Sequence, residues 1–355
     1  MPSGGMEGEA AWSGGILSCP IRQIVAGAAA RLCCGWRLGR EKGEAMNGPC
    51  VLVLGDFEAR WLTRLGDRYQ LLRLGGDDVG RCEAVLLRSP YRIDAGLLAT
   101  LPALRHIIRA GSGIGTGDLD AVCGRDIAVH STPAAERSVA EHAFALLFAV
   151  ARDIPYLHQQ TMAGLWSKNP ARGIELKGKH LVVVGFGRVG REIARIASAF
   201  GMSLTVVDPS PEKPEKMAAL AALPESRVLA LDEALPDADV LMLSCPGSPG
   251  QLELLDAQRI GRLPAGSILI NVARGSLIDH GALEDALLSR RLAGVGLDVH
   301  RSESTGRQSW HLLPGVVVTP DIAAQTRETE SRVGERVEAL LDTVLGCRRE
   351  AGAHA

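Results

Sequence analysis

At 355 residues the chain is long enough for two domains of ordinary size, and with 46% apolar and 23% charged residues it can bury a sizeable core. Its formal net charge of −2 sets up no field to gather nucleic-acid phosphates or anionic lipid, and no apolar run approaches the ~20 residues of a membrane-spanning helix. Nucleic acid and membrane are therefore excluded as expected partners. The eight cysteines form no CxxC pair and no His/Cys ligand spacing, which predicts free thiols in a reducing, cytoplasmic setting and no metal site.

In chain order, residues 1–45 are rich in Gly, Ala and Ser, and Glu7 and Glu9 stand where a secretory leader would carry positive charge. They predict a disordered extension; an ordered arm packed on a partner subunit is the other reading. From Met46 onward, short apolar runs alternate with helical patterns. Strands are expected at 50–54, 84–87, 105–109, 180–184, 203–207, 239–243, 267–272, 294–297 and 315–318, and helices at 138–152, 188–200 and 281–289. Continuous apolar strands alternating with helices predict an α/β protein with two doubly wound parallel sheets, each covered on both faces. The mostly apolar stretch 138–152 reads as a buried helix at a domain or subunit interface.

The densest signal is Lys179-His180-Leu181-Val182-Val183-Val184-Gly185-Phe186-Gly187-Arg188-Val189-Gly190. A lone GxGxxG carries little weight, but this one closes an apolar strand and opens a helix, the context a dinucleotide site requires. Gly185 permits the tight turn, Gly187 lets a pyrophosphate approach the backbone, and Gly190 lets helix and strand pack closely. The helix N-terminus offers amide donors and the positive end of its dipole. Asp208, 18 residues beyond Gly190, ends the next strand. A carboxylate there accepts from ribose hydroxyls and repels a 2′-phosphate, which predicts NAD over NADP as cofactor.

Further motifs follow in order: Ala110-Gly111-Ser112-Gly113-Ile114, Val139-Ala140-Glu141-His142, Asn271-Val272-Ala273-Arg274-Gly275, Gly296-Leu297-Asp298-Val299 and Thr319-Pro320-Asp321-Ile322-Ala323-Ala324. Together they resemble the D-isomer-specific 2-hydroxyacid dehydrogenases over roughly residues 48–346. The resemblance implies a Rossmann NAD domain over 131–320. A flavodoxin-like substrate domain would be built from 46–130 plus 321–346. It further implies a cleft for a small 2-oxo or 2-hydroxy acid, and a homodimer. By it, Arg274 grips the substrate carboxylate, a task suited to the paired, always-charged N–H donors of a guanidinium. The same resemblance assigns Ser112 and Gly113 to a second carboxylate clamp. It gives Asp298 to the nicotinamide amide, and places Cys245, Pro246, Val272, Ala273, Arg188 and Val189 along the cofactor.

The pattern breaks at the proton relay, where the family uses a histidine held by a glutamate. The glutamate falls at Glu303, five residues after Asp298, but the histidine position after Thr319-Pro320 is Asp321. An isolated carboxylate with a pKa near ~4 is a poor acid–base partner at neutral pH. Three readings are open. Glu303 and Asp321 share one proton, since like charges at close range force one pKa upward; or another histidine, His300 or His311, serves instead; or the chain is a catalytically silent NAD-binding regulator. Gly115, Thr116, Ser304 and a short 132–138 loop also depart from the family's pattern.

Overall fold

The computed structural model describes residues 48–75, 78–88, 91–111, 122–166, 173–223, 225–247, 253–301 and 309–346. The predicted N-terminal extension, Ser112, Gly113 and Glu303 therefore lie outside the described residues. The chain divides into residues 1–47 and 48–355, and all that follows concerns the second unit.

The first sheet contains β1 (Cys50–Leu54), β2 (Gln70–Leu72), β3 (Ala84–Leu87), β4 (His106–Arg109) and β5 (Ala128–Ser131), with helix α1 (Ala59–Gly66) after β1 and α2 (Ala95–Ala99) after β3. Its strands are all parallel, in the order β2-β1-β3-β4-β5. All five residues of β1 and all four of β3 are buried, as an apolar run covered on both faces must be. On one face Leu52, Leu87 and Ile107 pack with Leu98 of α2.

Two helices follow, α3 (Glu136–Ala151) and α4 (Ile154–Met162). The second sheet then runs through β6 (His180–Val184), α5 (Arg188–Ala199), β7 (Ser203–Val207), α6 (Pro214–Ala221), β8 (Ser226–Val228), α7 (Leu231–Ala234) and β9 (Val240–Leu243). It finishes with α8 (Ala257–Ile260), β10 (Ser267–Asn271), α9 (His280–Leu288), β11 (Leu292–Leu297) and β12 (Val316–Val318). The seven parallel strands are ordered β12-β11-β10-β9-β6-β7-β8. Strand β6 sits between β7 and β9, where the winding direction reverses, and α/β sheets bind ligands outside the strand ends at such a switch point.

Helix α3 buries Ala140, Ala143, Phe144, Leu147 and Val150 in a core shared with β6 and α5. It lies close on β11, because a Cβ added at Gly296 would stand 2.9 Å from Leu146 Cβ. The last helix, α10 (Arg327–Leu341), is capped by the Thr326 hydroxyl accepting from Thr329 N–H. It carries Val333, Val337 and Leu341 back to the first sheet, onto Val51, Leu86 and Ile108.

The fold is thus α/β with two parallel sheets, as the strand pattern implies. Three short strands, β2, β5 and β8, escaped the apolar-run criterion. All lie at sheet edges, where only one neighbour shields the backbone and Gln70, His130 or Arg227 is tolerated. Among the described residues no helix is long and apolar enough to cross a membrane, and Cys50, Cys82, Cys123 and Cys245 are free.

Candidate active site

The glycine turn between β6 and α5 is built as its chemistry requires. Gly185 has φ +93°, and a Cβ there would stand 2.7 Å from the Cys245 backbone. At Gly190 an added Cβ would lie 2.0 Å from the Gly185 carbonyl oxygen, so only glycine lets α5 approach the strand end. At Gly187, by contrast, it would meet no protein atom within 4 Å. The first turn of α5 therefore opens onto free space, a cradle that fits a pyrophosphate. Phe186 is fully buried, and the Ser244 hydroxyl donates to the Gly185 carbonyl at 2.7 Å, fixing the turn from β9. Arg188 is exposed and pairs with Glu136 at 3.2 Å.

Asp208 follows β7, but its carboxylate is already engaged. Oδ2 accepts from Phe186 N–H at 2.7 Å, Oδ1 accepts from Ser210 N–H at 2.9 Å, and Lys216 of α6 forms an ion pair with Oδ1. Burial pushes the Asp208 carboxyl upward, yet Lys216 and the two amides outweigh it and hold the pKa below the usual range. Cys245, beside Gly185, is shifted the other way: burial and the charge of Asp208 raise its thiol, so it is no thiolate nucleophile at neutral pH.

Arg274 lies on the same rim. A Cβ at Gly247, two residues beyond Cys245, would stand 3.6 Å from Arg274 Cγ. The loop after β10 is shaped by Asn271, whose side chain accepts from Ala273 N–H at 3.0 Å and donates to the Arg274 carbonyl at 2.9 Å. Arg274 Nη1 donates to the Ala273 carbonyl at 2.6 Å, and no carboxylate among the described residues pairs with this exposed guanidinium. Gly275 packs against the next loop, since a Cβ there would stand 2.0 Å from the His300 carbonyl carbon.

Asp298, after β11, organises the segment that carries Asp321. Its side chain is 1% exposed. Oδ1 accepts from the Thr319 hydroxyl at 2.6 Å and Ile322 N–H at 2.9 Å, and faces His142 Nε2 at 3.3 Å; Oδ2 accepts from Ala323 N–H at 2.9 Å. Its carbonyl takes Asp321 N–H at 2.7 Å. Burial raises this carboxyl, but the four donors overrule it and hold the pKa at about 2. Asp321 is exposed on this loop at φ +55°, a left-handed conformation that aspartate tolerates better than most residues. His300 Nε2 lies 2.9 Å from the Thr319 carbonyl, and the His300 and His311 rings are 5.9 Å apart.

The described predicted residues thus gather around the carboxyl ends of β6, β7, β9, β10 and β11. Val189 and Val272 are half-buried there, Ala273 is buried and Pro246 is exposed. Asp298 also holds the 319–323 loop, a task the resemblance does not name. Sequence reasoning missed Ser244 and Lys216, and gave Thr319 no role beyond its place in a motif. Ser244 and Thr319 follow the ends of β9 and β12; Lys216 had no local signal, being an ordinary helical lysine until the fold closes it on Asp208.

The geometry defines a dinucleotide-binding oxidoreductase architecture, and comparison with known proteins is more specific. Residues 144–323 match the model of the D-isomer specific 2-hydroxyacid dehydrogenase NAD binding domain, so the dinucleotide is NAD. The chain is 34% identical over 300 residues to D-3-phosphoglycerate dehydrogenase of Mycobacterium tuberculosis, covering 82% of this chain and 56% of that protein. It thus spans about half the length of the curated relatives it matches. The TT0316 protein of Thermus thermophilus superposes with a TM-score of 0.73 at 32% identity, over 84% of this chain and 97% of that one. A glyoxylate reductase from Paecilomyes thermophila superposes with a TM-score of 0.74 at 26% identity, over 85% and 97%. The chain belongs to the D-isomer specific 2-hydroxyacid dehydrogenase family.

Proposed function

We propose that the chain is an NAD-dependent oxidoreductase interconverting a small 2-oxo acid and its 2-hydroxy acid at the carboxyl ends of the second sheet. The carrying observation is Arg274, exposed and without a carboxylate partner among the described residues, on the rim that runs through Gly185, Cys245 and Gly247. Bound NAD supplies or takes up the hydride. Arg274 holds the substrate carboxylate and aligns the reacting carbon, with Ser112 and Gly113 as the second clamp. Asp321, presented on a loop fixed by Asp298, passes the proton while sharing it with Glu303.

A second reading of the proton step is favoured by His300. Its ring bonds the carbonyl two residues before Asp321, and its backbone packs on Gly275, next to Arg274. The two readings separate in variants: loss of turnover in Asp321→Asn matched by Glu303→Gln supports the carboxylate pair, whereas loss in His300→Gln with Asp321→Asn active supports the imidazole.

For the assembly we propose a homodimer in the cytoplasm. Its support is the apolar surface of α4 and the residues after it, where Ile154, Tyr156, Met162, Leu165 and Trp166 are exposed, the last at 82%. Light scattering after size exclusion tests it.

The first experiment is NADH oxidation with a panel of 2-oxo acids from pH 5 to 8. Turnover rising toward acid pH fits a carboxylic acid donor. Tight NADH binding with no turnover on any acid would replace the enzyme by an NAD-binding regulator.

A further inference from the structure

We propose that Lys216 and Ser210 make the adenosine-ribose end of this site tolerant of a 2′-phosphate, so that the chain binds NADP(H) alongside NAD(H). The inference rests on the Gly185–Gly190 turn being the cofactor site.

An aspartate at the end of the second strand favours NAD in two ways: it accepts from the ribose hydroxyls, and its negative charge repels a 2′-phosphate. Both depend on a free carboxylate. Here the Asp208 and Lys216 side chains are only 5% and 10% exposed and are paired with each other. Oδ1 also takes Ser210 N–H at 2.9 Å and the Ser210 hydroxyl at 3.4 Å, while Oδ2 takes Phe186 N–H at 2.7 Å. A carboxylate oxygen has about two acceptor directions, so Oδ1 is saturated and Oδ2 keeps one. The pair is neutral as a unit, which removes the repulsion that excludes a 2′-phosphate.

The same corner supplies donors for one. Lys216 Nζ bonds Ser210 Oγ at 3.2 Å, and an ammonium carries three N–H donors, so one remains. Lys213, just before α6, is exposed and has no carboxylate partner among the described residues. Glu212 and Glu215 are exposed on the same segment and oppose a phosphate. The expected result is therefore tolerance of both nucleotides, not a switch to NADP.

The test is equilibrium binding of NADH and NADPH to the full chain, read by nicotinamide fluorescence. AMP and adenosine 2′,5′-bisphosphate serve as fragments that isolate the ribose end, read by calorimetry. In the wild type, the NADPH dissociation constant is expected within about tenfold of that for NADH, with the fragments following the same ratio. Lys216→Met keeps the apolar stem but frees Asp208, and should raise the ratio of the NADPH to the NADH dissociation constant by at least about tenfold. A wild-type ratio above about tenfold overturns the proposal without any variant, and so does a Lys216→Met protein in which both nucleotides shift equally. Failure of NADH itself to bind would instead overturn the cofactor-site reading on which this rests.

Discussion

Asp298 does more for the architecture of the site than its motif position suggests. Four donors from α3 and the 319–323 loop converge on a carboxylate that is 1% exposed, and its pKa falls to about 2. Because the folded value lies below the unfolded one near ~3.9, the stabilisation is fully present above about pH 4 and disappears as pH falls through about 2. The difference is worth roughly 2–3 kcal/mol. Urea unfolding of wild type and Asp298→Asn should therefore show a gap of that size at pH 7 that narrows below pH 4; a gap constant down to pH 2 would rule the account out. Arg274 predicts a different signature. On the proposed function, in which Arg274 holds the substrate carboxylate through two charge-assisted hydrogen bonds, Arg274→Gln should lower kcat/KM for a 2-oxo acid by ~10²–10³ while leaving the NADH dissociation constant within about twofold. Arg274→Lys should recover only part of the loss, because a point charge cannot match both carboxylate oxygens.

Elements reveal where sequence patterning stops being informative. The strands at the centre of each sheet were legible because burial on both faces demands unbroken apolar runs, as in Cys50–Leu54 and His180–Val184. The edge strands were not, and neither was Lys216, whose partner comes from another element. The α1–α10 contact is a further feature invisible to periodicity. Gly334 lies in the middle of α10, where replacing glycine by alanine ordinarily gains ~1 kcal/mol. Here an added Cβ would stand 2.1 Å from Trp61 Cε2, on a ring buried between the two helices. Gly334→Ala should therefore destabilise the protein by ~1–3 kcal/mol in denaturant unfolding, and Trp61→Leu in the same chain should recover much of that loss. A stabilised Gly334→Ala protein would mean that the two helices are not seated on one another.

At the scale of the whole molecule, a cofactor that binds only the folded chain must raise its stability by mass action. NADH at 100 times its dissociation constant should add about 2.7 kcal/mol, measurable as a concentration-dependent rise in Tm. Gly190→Ala, which would drive a Cβ to 2.0 Å from the Gly185 carbonyl, should abolish that rise. The return of α10 to the first sheet has a consequence for synthesis. Val51, Leu86 and Ile108 are translated well before Val333, Val337 and Leu341, which pack on them. At ~5–20 residues per second, the roughly 225 residues from Ile108 to Val333 take on the order of 10–45 s to make. For that interval the nascent chain displays the part of that sheet face which Leu65 and Tyr69 leave uncovered, a hydrophobic patch of the kind chaperones bind. The first sheet is thus translated before the second and fully covered only after it.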